Sequence, residues 1–511
     1  MKTILVKGLC FITLGLLFNI FFWNEKLGIN LLLFSILLIS ILLYSYQESL
    51  KITSVRISIA FTLLSAIMVV WHNTLISKLV FTTSFMIMTG LLHEYRYRTI
   101  YNPLAAYIVN FSQVMPNYFN GVQAWIIQSK VKHTQVGRSL AQFRFSFVPL
   151  LFFGIFFAIF KTANPIFSDL TDTLFHSFYT LLESLFTNFS IPWFTFFLSG
   201  FYLLGSILYY KPFDTLLQHE SLQNNWLARQ RRMTKNKLHH RVKNLALKNE
   251  YTGALILVIS VNILIFAENC ADIYWLWINF DYKEITDFSI LLHEGANMLL
   301  LSILLSMGIL LFYFRKNINF YTKNTLLKQA AYLWIIQNGI LGLSVLLRCY
   351  YYFHEHGLAY KRVGVVIFLI LTYIGLFTLY QKISQKKSFF YLLRINSWAA
   401  YGMFILLTLV NWDVFIVSYN LQHPKLNSKI DLEYQLTRSD KALPILVKNR
   451  TKIQDILSTG KIHDSKRNQI SMNEYLYYRI EKFQKEYQEY TWLSWNYADY
   501  QAYQYFNSRN Q

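Results

Sequence analysis

His293 and Glu294 stand inside a long apolar run, in the stretch His293-Glu294-Gly295-Ala296-Asn297. Arg348 interrupts a second such run, and Asp413 a third, directly after Asn411-Trp412. An ionisable side chain within an apolar run of membrane-spanning length costs a few kcal/mol unless it is paired or hydrated. Gly295 would let a neighbouring helix approach closely, and Asn297 adds a polar group on the next turn. If the runs are spans, His293, Glu294, Arg348 and Asp413 lie at similar depth near the external ends of their spans and form one candidate polar cluster. Two readings stay open for it. One is a hydrated cavity that takes a small or lipidic ligand; the other is a set of headgroup-level polar residues that lock helix packing.

Metal and nucleophile chemistry find less support. His354-Glu355-His356 offers imidazole and carboxylate, which are good zinc ligands, and His293 with Glu294 could add more. Adjacent residues point in different directions, however, and the His-Glu-x-x-His spacing that aligns two imidazoles on one helix face does not occur. The triplet is expected to be a solvated polar turn on a short external loop. No spacing of Ser, His and Asp singles out a triad, and no Gly-rich loop follows a strand pattern. No catalytic residue, metal or cofactor is therefore expected. Cys270 and Cys349 fall near the external ends of spans, where they could pair in an oxidising compartment or stay as unpaired, half-buried thiols.

The elements that must carry these residues follow from composition. The chain has 511 residues, 54% of them hydrophobic and 15% charged, with a mean hydropathy of +0.30. Soluble domains carry about a quarter charged residues, and 18% aromatic content argues against disorder. Runs of roughly 20 apolar residues span a hydrocarbon core of about 30 Å. Such runs occur at Ile4–Trp23, Gly28–Tyr46, Ile57–Trp71, Leu75–Leu92, Phe145–Phe160, Ile191–Tyr210, Gly253–Phe266, Phe288–Phe314, Leu327–Tyr352, Val363–Tyr380 and Ser397–Val417. The fold class is thus all-α, a polytopic membrane protein of about eleven transmembrane helices. Ala105–Gln128, broken by Asn110, Pro116 and Gly121, reads as interfacial or re-entrant. Ile166–Phe186, after the Asn164-Pro165 turn, reads as an amphipathic surface helix, and the aromatic stretch Tyr274–Phe280 as headgroup-level. The first run continues too far to be a cleavable signal.

Lys and Arg set the orientation. With a cytoplasmic N-terminus, the loops Arg96 to Arg144, Lys211 to Lys248, Arg315–Lys328 and Lys382–Arg394 fall inside; that side holds about 27 basic residues and the other about 6 before the tail. The segment 211–250 is the most basic and is expected to contact anionic lipid headgroups. Its charge speaks for orientation; no nucleic-acid-reading motif accompanies it. Membrane lipids are the partners expected, and no protein partner is named by the sequence. An odd number of spans puts the tail, 420–511, outside the cytoplasm. In the tail Ser471 and Glu474 have capping-box spacing, and Leu476, Ile480, Phe483 and Tyr487 share a helix face, so two to four helices are expected to dock on the membrane region or lie at its surface. The domains are then 1–92, four N-terminal spans; 93–144, a basic cytoplasmic or interfacial segment; 145–419, a seven-helix membrane region; and 420–511, an extracytoplasmic helical tail.

Several stretches resemble a bacterial multi-pass membrane family. They are His293-Glu294-Gly295, Phe314-Arg315-Lys316-Asn317 with Asn319-Phe320, Trp334-Ile335-Ile336-Gln337-Asn338, and Gly357-Leu358-Ala359-Tyr360-Lys361-Arg362-Val363-Gly364. Asn411-Trp412-Asp413, Tyr419-Asn420, Asp431-Leu432 with Tyr434, and Ser439-Asp440-Lys441-Ala442-Leu443-Pro444 complete the set, with Asn164-Pro165-Ile166-Phe167 upstream. The chain is similar over roughly Asn164 to Leu446 to a domain of unknown function numbered four-one-seven-three, related to one numbered four-one-five-three. It departs at Ala359-Tyr360 and at Asp440-Lys441. The resemblance implies a bacterial cytoplasmic membrane location, an inner membrane in a Gram-negative cell, and no established reaction. The functional expectation is non-enzymatic handling or sensing of a small or lipidic ligand at the external face. The alternatives are a structural or partner-binding protein acting through its tail, or an integral-membrane metalloenzyme.

Overall fold

The computed structural model describes residues 4–115 and 117, parts of 153–175, and 190–229, 237–279, 288–315, 317–423, 431–464 and 468–510. Among these residues the chain is all-helical apart from one hairpin. The first four apolar runs form α1 (Ile4–Phe22), α2 (Ile29–Ser45), α3 (Thr53–His72) and α4 (Leu75–His93). The turn at His72–Thr74 is tight because Asn73 takes a left-handed φ of 48° and Thr74 and Ser77 form a reciprocal capping box. A shorter helix, α5 (Tyr101–Ser112), packs on α4 with the Pro103 carbonyl against Gly90, and α6 (Ile191–Leu208) packs on α1. At twelve residues α5 is too short to span, and residues 118–128 of the stretch read as interfacial lie outside the described residues. The apolar run Phe145–Phe160 and the end of Ile166–Phe186 lie largely outside the described residues.

The second half is built from α7 (Asp214–Ser221), α8 (Lys237–Asp272), α9 (Phe288–Tyr313), α10 (Thr325–His356), α11 (Tyr360–Ser384) and α12 (Phe389–Thr408). Among the described residues eight helices are long and apolar enough to cross a membrane, and two shorter apolar helices, Gly8–Phe22 and Ile29–Ser45, accompany them. The perimeter is apolar: the segment Gly295–Tyr313 of α9 is only 22% buried and exposes Met298, Leu301 and Leu305. A helix with apolar residues all round and little protein cover belongs in lipid. α12 joins two cores, with Leu392 in the α8–α11 cluster and Tyr401 and Ile405 in the cluster of the first helices.

Three expectations change. Ser397–Val417 is not one span. Its helix ends at Thr408, and Asn411 caps a new helix, α13 (Trp412–Gln422), by accepting the Val414 amide. A side-chain acceptor there competes with continued helix, so the chain turns. Asp413 consequently sits in the first turn of α13, where a carboxylate complements the helix dipole, and not at a span end. Second, His354-Glu355-His356 forms the last turn of α10 instead of a loop. Third, Lys382 lies inside α11, 1% exposed, and its ammonium donates to the Phe314 carbonyl at 2.5 Å, capping the end of α9.

The tail contains α14 (Leu432–Leu436), α15 (Leu443–Lys448), α16 (Arg450–Thr459), the antiparallel hairpin β1 (Lys461–Asp464) and β2 (Asn468–Ser471), α17 (Met472–Glu489) and α18 (Tyr497–Asn510). That is more helix than expected, plus a hairpin that two four-residue strands did not announce. Ser471 caps α17, and Leu476, Ile480, Phe483 and Tyr487 enter one core with Val417 and Leu421 of α13. The tail docks on the α1–α2 loop through Ile29 N to Trp495 O at 3.0 Å, and on the end of α3 through the Trp71 and Tyr497 rings, 4.7 Å apart. At the far end of the α3–α4 hairpin, Arg98 and Thr99 bond the buried Glu220 of α7. The tail and the described parts of the basic loops, around Arg98 and Glu220, therefore occupy opposite ends of the bundle.

Candidate functional site

α8 and α10 run parallel and meet along a polar seam. Asn262 Nδ2 donates to the Ala330 carbonyl at 3.0 Å, and Asn269 Nδ2 to the Gln337 carbonyl at 3.2 Å. Seven residues separate the donors and seven separate the acceptors, so the same contact recurs about 10 Å further along both helices, as a heptad requires. Toward the tail end, Arg348 Nη2 meets Asp272 Oδ1 at 2.5 Å, with side chains only 9% and 5% exposed. Beyond Asp272 a π-helical turn, Ile273–Ile278, brings Trp277 Nε1 to Ser344 Oγ at 3.1 Å. This places the aromatic stretch that was expected at headgroup level against α10, with Tyr274 and Ile278 still facing outward.

The seam is underpaired. Oδ1 of Asn262, Asn269 and Asn338, Oε1 of Gln337 and Oδ2 of Asp272 have no hydrogen-bond partner among the described residues, nor do Arg348 Nη1 and Trp334 Nε1. All these residues are buried. Each unsatisfied group costs about 1–3 kcal/mol when shut away from water. Five of the seven are acceptors, so the seam is suited to groups that donate N–H or O–H, water included.

Two members of the expected cluster, Arg348 and Asp413, have described side chains, and each meets a different partner. Arg348 joins the seam. Asp413 instead faces the Tyr360 hydroxyl at a junction between the α10–α11 turn and the tail. There Gly357 adopts φ +75°, and a Cβ would stand 2.7 Å from Asn420 Oδ1. Asn420 brackets Leu358, accepting its amide at 2.6 Å and donating to its carbonyl at 2.9 Å, while Tyr360 N donates to the Tyr434 hydroxyl at 3.1 Å. The Arg438 guanidinium lies 4.0 Å over the Tyr434 ring. This junction gathers the Gly357–Arg362, Asn411–Asp413, Tyr419–Asn420 and Asp431–Tyr434 stretches, and its contacts are those of a structural clasp. His293 and Glu294 lie in the first turns of α9, but their side chains fall outside the described residues. Cys270 is exposed and Cys349 buried, both as free thiols.

Asp272, Asn262 and Asn269 were missed. Asp272 stands beside the aromatic stretch read as headgroup-level, where a carboxylate attracts no notice. The two Asn did leave a signal, polar residues seven apart, one inside the apolar run Gly253–Phe266 and one just past its end. Gln337 and Asn338 were noted for resemblance alone.

No curated protein and no solved structure matches the chain. A family model described as a domain of unknown function, DUF4153, matches residues 9–449. The number differs from the four-one-seven-three of the resemblance and is that of the related family, and the match reaches back into α1, beyond the region of clear resemblance, and forward to Asn449, between α15 and α16. Covering both helical halves, the seam and the clasp, that match makes this chain a member of the DUF4153 family.

Proposed function

We propose that the protein is a non-enzymatic, multi-pass membrane protein that handles or senses a small or lipidic ligand at the end of the bundle where the tail docks. The observation that carries this reading is the buried Asp272–Arg348 pair, with one oxygen and one nitrogen left over and a file of unpaired amide oxygens behind it. Ionisable groups within spans mark substrate and ion paths when they face a bundle interior. In this reading the bundle has about eleven spans, counting Phe145–Phe160. It lies in the cytoplasmic membrane of a bacterium, with the N-terminus and basic loops in the cytoplasm and the tail outside. The basic segment 211–250 rests on anionic lipid.

Thiol labelling tests the seam. In a chain with Cys10, Cys270 and Cys349 changed to Ser, Gln337→Cys should react with a membrane-impermeant maleimide, while the lipid-facing control Leu333→Cys should not. A Gln337→Cys chain that folds yet stays unlabelled from both sides would mean a dry packing seam, and the reading would fall.

A further inference from the structure

The segment joining α17 to α18 lies across the α1–α2 loop and encloses a second candidate site, unconnected with the seam. Lys26 N donates to Ser494 Oγ at 2.7 Å, and the Glu25 carboxylate accepts from the hydroxyls of Thr491, at 2.6 Å, and of Ser494. Gly28 is needed for this approach, since a Cβ there would stand 2.5 Å from the Trp495 carbonyl oxygen. Beside these clamps is a cavity of about 220 Å³ whose walls include Tyr487, Tyr490, Trp492 and Trp495 and whose polar groups include Lys26 and Asp499.

The chemistry of the walls narrows the occupant. Aromatic faces offer an apolar surface for C–H groups, and the polar groups offer donors and acceptors at its edge. The Lys26 ammonium already stands 4.6 Å from the Tyr490 ring centre, which fills the place a quaternary ammonium would need. The charges are also spoken for. Lys26 pairs with Glu486 at 2.9 Å and Asp499 with Lys441 at 3.2 Å, so no uncompensated charge recruits an ion. Both groups keep hydrogen-bonding capacity, the ammonium having three donors and the carboxylate about four acceptor positions. The cavity is smaller than the roughly 300 Å³ at which drug-sized sites begin, so it suits one ring and not a chain of them.

We propose that this cavity binds a single sugar ring, its apolar face stacked on the aromatic wall and its hydroxyls held by Lys26 and Asp499. The helices α1 and α2 end here, so the ring can be a free hexose or the headgroup of a glycolipid. The full-length protein in phosphatidylcholine nanodiscs provides the test. Saturation-transfer NMR with glucose and with N-acetylglucosamine reports free sugars. Native mass spectrometry of nanodiscs doped with monoglucosyl diacylglycerol, against plain diacylglycerol, reports the headgroup. Binding in either arm supports the proposal and identifies the source. Trp492→Ala, at a residue 67% exposed, should weaken it at least tenfold, as should Asp499→Asn, while protection of residues 490–510 from protease shows the tail still docked. Silence in both arms overturns the proposal, as does a response that glycerol reproduces or that Trp492→Ala leaves unchanged.

Discussion

Two carboxylates are almost equally buried at opposite ends of the bundle, Glu220 at 3% exposure and Asp272 at 4%. Glu220 is fully engaged: Oε1 accepts the Arg98 and Thr99 amides at 2.8 and 2.9 Å, and Oε2 accepts Asn102 Nδ2 at 2.7 Å. Arg98 in turn donates to the carbonyls of Glu220 and Gln223, both at 2.6 Å. Asp272 has one described partner, and its second oxygen has none. A satisfied buried carboxylate fixes a chain crossing. A half-satisfied one retains its solvation cost, and such groups persist where something other than the chain completes them. Burial alone would have ranked the two residues together; the bookkeeping of lone pairs separates them.

Substitutions can break that contrast. Asp272→Ala should cost the most, about 3–5 kcal/mol, because it leaves the buried Arg348 guanidinium without its counter-charge. Adding Arg348→Met should recover most of the loss, since a buried pair replaced by apolar residues is often neutral. Unfolding midpoints in detergent measure both. A double variant no more stable than the single one would make Asp272 a structural residue like Glu220. Glu220→Gln should cost less, about 1–3 kcal/mol, by turning one acceptor into a donor that faces Asn102. Its effect should be local, seen as faster hydrogen exchange in 94–102 and 214–229 while the tail stays protected.

Gly28→Ala sharpens the contrast at the tail end. Its methyl group would press on the Ser494 and Trp495 carbonyls, so the tail should loosen by about 1–3 kcal/mol and residues 490–496 should exchange faster. The smallest effect should come from pH. The hydrogen bond and charge of Lys26 hold the Glu486 carboxyl below its ordinary value of 4.5. Burial works against the Lys26 ammonium, but Glu486 outweighs it and raises Lys26 above 10.5. A depressed carboxyl contributes above its unfolded value and is lost as pH falls through the folded one. A raised ammonium contributes below 10.5 and is lost as pH climbs through its folded value. Protease protection of the tail should thus be flat between those limits and decline below about pH 4.5. Since both groups are partly exposed, the decline should be shallow and should shrink with salt.

The spans were the legible part. α1 to α4 lie within a few residues of their apolar runs, because the length of an uncharged run and its flanking polar residues decide where a helix can sit in lipid. The run Ser397–Val417 was misread at Asn411, whose side chain stops nothing by composition and acts only through its hydrogen bond to the Val414 amide. The tail helix α17 was legible from its period and its Ser471 cap. The candidate cluster was less so. The apolar runs suggested a similar depth for Arg348 and Asp413, but run position does not specify azimuth. One points to α8 and the other to the α10–α11 turn.

By itself, the sequence determined that this is an all-helical membrane chain, where most of its long helices begin and end, and which loops carry the positive charge. These are consequences of local hydropathy and chain length, felt by each segment separately. Only the tertiary structure decided that Asp272 faces Arg348 across 76 residues, that Asn262 and Asn269 keep step with Ala330 and Gln337, and that the tail closes over the α1–α2 loop. Those pairings depend on helix rotation and neighbour choice. The apolar run leaves them undetermined, because it satisfies lipid equally well at any rotation; the polar side chains fix them when they find partners on another helix.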